Sequence, residues 1–516
     1  MRLAVLLAMA MFVLVVDTSL MNVSISAVVR DLDTTASGVQ SAIALEALVS
    51  AAFILIGSKI ADLIGRKRAY VLGLLGYALG ALSMTLSQTL LPIVIFWAVI
   101  GGLGAALLLP SMQSLIHGNF AGPMQRRAYA LVGAAAAIAA AVGPLLGGFI
   151  TTYLSWRVAF AGEVLVIAIV LVGSRLIQDV PYTGSRGVDV VGAILSALGM
   201  GGVVLGILVW EEGGGAVGAL IAVGAVALGS LVWWLRRRKR EGKPALLDIG
   251  LFASKYFRLG ISSQTLQQIA LGGLMIALPI YLQMVLEYNA MEAGLSIAPL
   301  SLTMFAVALL AGRKAGGRSP SKIILVGFVL LAAGVAVLIP VVPRADSGWA
   351  MVIPLVIAGA GLGLLVSQLN NYTLSPIEEE RVSEAAGVNS AGGSFGLAFG
   401  LAFAGAIMLA SLALTFTQEA DSSEVLTPAQ QEQVADGLEE NAEVMTNTEL
   451  EELLEGQTPA VQDEILRINE EARPVALQIA LLVPLVASLL GLLAGFRMTR
   501  LPDPKPSAAA ESLLVG

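Results

Sequence analysis

Gly57-Ser-Lys-Ile-Ala-Asp-Leu-Ile-Gly-Arg-Lys-Arg68 sets five charges, Lys59, Asp62, Arg66, Lys67 and Arg68, between two apolar runs of about twenty residues each. A connection this short holds no domain of its own. Its charges therefore sit at a bilayer surface and act on the two helices they join. The remainder of the 516-residue chain is of the same kind, with 57% hydrophobic and 13% charged residues and a mean hydropathy of +0.84. That mixture excludes a soluble domain and describes an all-α polytopic membrane protein.

The chemistry available is narrow. Cysteine is absent, so no disulfide framework, thiolate metal site or cysteine nucleophile can form. A single histidine, His117, cannot build a histidine metal site or a triad. The chain is accordingly read as no enzyme, with no metal, no bound cofactor and no nucleic-acid partner.

Working outward, about twenty helical residues cross a bilayer core about 30 Å thick. Fourteen segments qualify: 4–27, 39–57, 69–88, 91–113, 128–151, 158–177, 190–210, 216–235, 259–283, 293–312, 322–342, 350–371, 386–414 and 474–496. The first is a retained helix rather than a signal peptide, because Asp17 interrupts it and no small-residue cleavage site follows. Basic residues test the count. With both termini cytoplasmic, Arg30, Arg157, Arg344, Arg467 and Arg473 are the five of thirty that fall outside. One helix more or fewer would put Arg236-Arg-Arg-Lys-Arg240 and the opening turn on opposite sides.

The net charge of −7 conceals an asymmetry. Residues 418–473 carry sixteen acids against Arg467 and Arg473, a net −14, which leaves +7 on the rest, as suits a protein among anionic headgroups. Thr427-Pro-Ala-Gln430, Thr458-Pro459 and Thr448 with Glu451 read as helix starts, so two or three short helices are expected in this loop. It serves either as a solvated lid or to attract cations or a partner. Leu251-Phe-Ala-Ser-Lys-Tyr-Phe-Arg258 ends a basic segment suited to the membrane surface.

The sequence repeats internally. Gly57 at the end of helix 2 is echoed 255 residues on in Gly312-Arg-Lys-Ala-Gly-Gly-Arg318. Val99-Ile-Gly-Gly-Leu-Gly-Ala-Ala in helix 4 is echoed 257 residues on by Val356-Ile-Ala-Gly-Ala-Gly-Leu-Gly in helix 12. Matching of helices 2, 4 and 5 to 10, 12 and 13 implies two six-helix bundles with two helices inserted between them. The expected division is 1–180 for the first bundle, 181–240 for the inserted helices and 241–258 for the basic segment. The second bundle takes 259–414 and 474–498, around an acidic extracytoplasmic loop at 415–473, and the cytoplasmic tail takes 499–516.

The opening turn resembles the loop signature of the major facilitator superfamily, G-x-x-x-x-D-x-x-G-R-[KR]. Gly57, Asp62, Gly65, Arg66 and Lys67 stand on its fixed positions, between helices 2 and 3. Asp17-Thr-Ser-Leu-Met-Asn22 resembles the family's first-helix motif D-x-[TS]-x-x-N. Gly143-Pro-Leu-Leu-Gly-Gly148, with Gly143, Pro144, Gly147 and Gly148 on the fixed positions, resembles the antiporter motif G-P-x-x-G-G of the exporters. Its glycines permit close helix contact and its proline loosens the backbone, giving a pliable seam between the halves. Together these resemble the fourteen-helix drug:proton antiporter branch. The resemblance implies a monomeric exporter in the cell membrane, driven by the proton gradient, that moves amphipathic small molecules among membrane lipids. A lipid or hydrophobic-metabolite exporter of the same fold is the first rival. A non-transporting sensor or scaffold is the second.

Ionisable residues inside the bilayer are costly unless paired or wet, so they mark function. Three qualify, Asp17, Glu46 and Glu163, and no lysine or arginine lies well inside any span. They are the candidate proton-coupling groups. Glu46 stands where related exporters have tyrosine, so it is either an additional proton or cation site or hydrogen-bonded to a neighbouring helix. Glu163 occupies a position that in the family packs at the rim. Helix 4 carries Ala98 where the family has an arginine, so coupling rests on other groups or is not to protons. The substrate wall that the resemblance implies comes from helices 1, 4, 9 and 12, with Asn22, Gln113, Gln264, Gln268, Tyr281, Gln368 and Asn371 as its hydrogen-bonding groups. His117 is read as a surface residue rather than a relay.

Overall fold

The computed structural model describes residues 2–120, 122–179, 189–209, 215–243, 245–313, 319–345, 347–377, 382–428, 430–431, 450–451, 454 and 457–503. The side chains of Asp62 and His117, the echoing turn at 314–318, Thr448 and the tail from 504 lie outside the described residues. Among those described there is no strand.

Among the described residues fourteen helices are long and apolar enough to cross a membrane, the number counted from the sequence. The first six are α1 (Arg2–Val23), α2 (Ala36–Ala61), α3 (Arg66–Leu86), α4 (Leu90–Ile116), α5 (Leu131–Tyr153) and α6 (Trp156–Leu176). Next come α7 (Val190–Ile207) and α8 (Val217–Arg240). The last six are α9 (Lys255–Met284), α10 (Ala290–Ala311), α11 (Pro320–Arg344), α12 (Gly348–Leu374), α13 (Glu384–Ser422) and α14 (Pro459–Thr499). Several start on side-chain caps. Thr35 accepts from the Gly38 N–H, Ser155 from Arg157, Asp189 from Gly192 and Ser254 from Phe257.

Alternating direction gives the molecule two ends. One carries Arg66–Arg68, the Arg236–Arg240 run and Arg500, and is called here the basic end; the other carries Asp31 and Trp156, the Trp156 end. In the first six helices α1 lies along α5, and α3 and α2 lie along α4. In the last six α9 lies along α13, α14 and α12, and α11 along α12. Two long seams join the sets, α5 with α10 and α2 with α13. Inserted helix α7 covers the second seam by packing on both α2 and α13, and α8 packs on α7.

Two spans differ from their sequence-derived limits. Helix α13 continues past 414 to Ser422, and α14 begins at Pro459 rather than 474, with a break at Leu481. Counted from Val382 this helix has 41 residues, and at 1.5 Å per residue it is about 60 Å long, twice the bilayer core, so α13 projects beyond it. The projecting ends pair through Ser423 and Glu464 at 2.6 Å and Arg467 and Glu419 at 3.4 Å. Part of the expected loop is therefore a two-helix stalk, since polar residues suffice where helices protrude together into water. Thr458 and Pro459 do start a helix, and Thr427 donates to Gln430 at 2.7 Å as the next short turn opens. Extension of α14 also makes Arg473 helical, in the turn just before its apolar run. Only 4% of it is exposed, and it donates to Met284 O at 2.6 Å as the cap on the last carbonyl of α9, at the end of that span.

Candidate functional site

Helices α3 and α4 can approach closely because glycines face each other. A Cβ at Gly73 would sit 2.8 Å from Gly104 O, and one at Gly104 would sit 2.7 Å from Gly73 O. Further along, a Cβ at Gly80 would be 3.2 Å from Trp97 Cα. This contact falls where Ile93–Gly101 winds as a π-helix, a rare turn that gathers at functional positions. The result is that Tyr77 and Trp97 converge on α1. Trp97 Nε1 donates to Asp17 Oδ2 at 3.0 Å and reaches Oδ1 at 3.2 Å, while the Tyr77 hydroxyl donates to Oδ2. Asp17 is 0% exposed.

Glu46 and Glu163 belong to the same neighbourhood, at 7% and 4% exposure, and both lie within electrostatic reach of Asp17. Glu163 faces inward rather than outward at the rim, and neither of its carboxylate oxygens has a hydrogen-bond partner. Glu46 is carried where α2 crosses α4, with its carbonyl 2.9 Å from the Cβ position of Gly102. Asn22, one turn beyond Asp17 on α1, is buried with Oδ1 unpartnered.

The glycines of α5 divide their work. Cβ atoms at Gly143 and Gly147 would meet α1, 2.5 Å from Ser19 Cβ and 3.0 Å from Leu20 Cα. One at Gly148 would meet α10, 2.4 Å from Ala290 O, and one at Gly294 would lie 2.3 Å from Pro144 O. Around this crossing the Trp156 end is tied shut. Met291 N donates to Thr152 Oγ1 at 3.0 Å, Thr152 Oγ1 to Asn289 Oδ1 at 3.4 Å, and Ser26 N to Gln283 Oε1 at 3.3 Å.

The amide groups collect at the basic end of the last six helices. Gln264 donates to Gln267 at 3.4 Å and Gln267 to Gln268 at 3.1 Å, with Gly393 of α13 opposite Gln264. Gln368 is buried with Oε1 unpartnered, and Asn389 of α13 donates to Asn370 at 2.7 Å. Asn371 is exposed and accepts from Ser375, and Gln113 of α4 is exposed. Tyr281 does not join them. It lies near the far end of α9, donates to Val342 O at 3.1 Å, and lines a cleft of about 30 Å³ with Gln40, Met284 and Arg473.

In the basic turn, a Cβ at Gly57 would be 2.4 Å from Ala106 O, so this glycine sets the α2 to α4 distance. Gly65 adopts a φ of 98°, which favours glycine, and a Cβ there would lie 2.7 Å from Asp179 Oδ2. Lys67 N donates to Asp179 Oδ1 at 3.1 Å, and Lys67 Nζ to Ile177 O at 2.7 Å. Arg66 is engaged as well. Tyr77, Trp97, Asn389, Gly294 and Asp179 were not anticipated. The one local signal among them is Trp97, a tryptophan well inside its span instead of at an interface.

Residues 7–188 and 182–401 match the sequence family described as the Major Facilitator Superfamily. The puromycin resistance protein pur8 of Streptomyces alboniger is 31% identical over 406 residues, 77% of this chain and 80% of that protein. The multidrug resistance protein Stp of Mycobacterium tuberculosis (strain ATCC 25618 / H37Rv) is 25% identical over 413 residues, 79% and 75% of the two chains. Among solved structures, a bacterial homologue of the human lysosomal transporter Spinster, inward-facing and unoccupied, aligns with a TM-score of 0.63 at 13% identity, covering 98% of both chains. A D-xylose-proton symporter aligns with a TM-score of 0.59 at 11% identity, again over 98% of both.

Proposed function

The chain belongs to the major facilitator superfamily and is a multi-pass cell-membrane transporter, not an enzyme, and from that premise we propose that it exports amphipathic, drug-like small molecules in exchange for protons. The observation that carries the reading is the set of three buried carboxylates, Asp17, Glu46 and Glu163, within α1–α6 and without a lysine or arginine partner among the described residues. Carboxylates so placed are expensive to ionise together, and a proton is the smallest neutraliser that can come and go. The names of the two relatives above support a drug-like cargo.

In this reading residues 1–180 form one rocking body and residues 259–414 with 474–498 form the other. Residues 181–240 supply the inserted pair, 241–258 a surface segment, 415–473 an outer loop and 499–516 a tail. Cargo meets the amides Gln264, Gln268 and Gln368, with Gln113 and Asn371 toward the basic end and Asn22 on α1 toward the other, and the basic end faces the cytoplasm. Gly143, Pro144, Gly147 and Gly148 form the seam at the outer end. Asp62, Gly65, Arg66 and Lys67 form the inner gate, with Gly57 setting the helix spacing beneath it. The pump works as a monomer among lipids, with the proton gradient as its energy source and no bound cofactor.

Efflux from proteoliposomes with and without an imposed pH gradient tests this. The purified protein should accelerate efflux of a monocationic dye several-fold when the gradient is imposed, and Asp17→Asn should abolish that acceleration, with Glu46→Gln weakening it. Efflux indifferent to the gradient refutes proton exchange.

A further inference from the structure

Ala98 is fully buried, so α4 brings no charge to Asp17 from that position. What α4 does bring is the indole of the residue before it. The nine residues Ile93–Gly101 form a π-helix, and its wider turn changes which side chains face α1. Gly80 on α3 rests against this turn, with its Cβ position 3.2 Å from both Phe96 O and Trp97 Cα, so any larger residue there would press on the backbone that aims the indole. Trp97 itself is 2% exposed and cannot contact cargo directly.

We propose that Trp97 is a positioning residue for proton exchange at Asp17, aimed by the π-helical turn and held in place by Gly80. The inference rests on the reading that Asp17 exchanges protons. An indole N–H is a donor only, whereas a phenol hydroxyl both donates and accepts. Trp97 reaches both carboxylate oxygens, at 3.0 and 3.2 Å, so it keeps an acceptor whichever oxygen takes the proton. Tyr77 can reverse: it donates to the carboxylate and accepts from the carboxylic acid. The two donors thus hold Asp17 in one place through both protonation states without the permanent charge that an arginine would supply. The titratable groups facing this unit are Glu46 from α2, Tyr77 from α3 and Glu163 from α6.

The test compares wild type with Trp97→Phe in proteoliposomes, measuring gradient-driven efflux across pH. Loss of one hydrogen bond to a charged acceptor should displace the pH profile by about one unit, while the apparent affinity for the dye changes less than about twofold. A profile that coincides with wild type overturns the assignment even though the exporter is proton-driven. A wild type indifferent to the gradient overturns the underlying reading as well. If Trp97→Phe does not fold, a protein keeping Trp97 as its one tryptophan replaces it. Its emission should change with pH, and the change should vanish in Asp17→Asn; emission independent of pH overturns the proposal.

Discussion

Gly148 and Ala290 touch across the two halves so closely that a Cβ on the glycine would lie 2.4 Å from the alanine's carbonyl oxygen. The contact is reciprocated one turn away, where Gly294 meets Pro144 O at 2.3 Å from its own Cβ position. Such backbone-to-backbone distances leave no room for a methyl group, so the seam is closed only as long as both glycines remain.

Gly148→Ala should therefore keep the Trp156 end from closing while leaving each half folded. Because the chain has no cysteine, Thr152→Cys with Asn289→Cys makes a pair free of background thiols, at positions whose side chains now meet at 3.4 Å. Oxidative cross-linking should be efficient in that background and fall at least about fivefold when Gly148→Ala is added, as a closure penalty of about 1–3 kcal/mol implies. Unchanged cross-linking would show that the crossing relaxes.

At the other end, Asp179 serves as the acid partner of the basic turn by accepting from Lys67 N. Asp179→Ala should cost about 1 kcal/mol, the usual value of a lost helix cap. Gly65→Ala should cost more, because its φ of 98° is unfavourable for alanine and its new methyl would meet the Asp179 carboxylate at 2.7 Å. Combining them should be less damaging than the sum, since removing the carboxylate relieves the contact but not the backbone strain. Thermal unfolding in detergent reads all three, and strict additivity would mean that the contact is not the source of the cost.

The membrane architecture was legible because hydropathy and the placement of basic residues are local properties, and fourteen spans follow from both. Asp17 was legible for the same reason, as a charge in an apolar run. Its partners were not: Tyr77 reads as ordinary packing, the position of Trp97 inside its span marks the residue but not its partner, and nothing in Ile93–Gly101 announces a π-helix. Asp179 lies 112 residues from Lys67, and Gly294 matters only because α5 crosses α10 there. Arg473 was read only as a charge of the outer loop, because the apolar count of its helix begins one residue later, although the helix itself begins at Pro459 and carries Arg473 to the Met284 carbonyl. Tyr281 shows the converse error, since a polar group on the right helix sits near the wrong end of it.

The inserted helices are anchored by one buried acid. Asp189 accepts from Gly192 N at 3.0 Å, Trp234 Nε1 at 2.8 Å and Leu246 N at 3.1 Å, with Arg238 at 3.6 Å. Asp189→Ala would strand these donors at a cost of about 2–4 kcal/mol, spent locally. Amide hydrogen exchange should quicken around residues 190–193 and 245–247 and stay unchanged in α1. A rise spread evenly over the chain would contradict a local anchor.

Arg473 caps the last carbonyl of α9 from within the protein, and next to that carbonyl stands Gln283, the side chain that receives Ser26 from the other half. A loosened end of α9 should then loosen the closure it supports. Arg473→Leu removes the donor and the charge together, which should cost about 2–3 kcal/mol and lower the unfolding temperature. Arg473→Lys keeps the charge but reaches as a single point, so it should recover part of the loss. If the cap acts on the seam, Thr152→Cys with Asn289→Cys should cross-link less in Arg473→Leu, while the pH profile set at Asp17 stays where it was. Destabilisation with full cross-linking would confine Arg473 to holding its own bundle, and a displaced pH profile would contradict the separation between closure at the Trp156 end and proton exchange inside α1–α6.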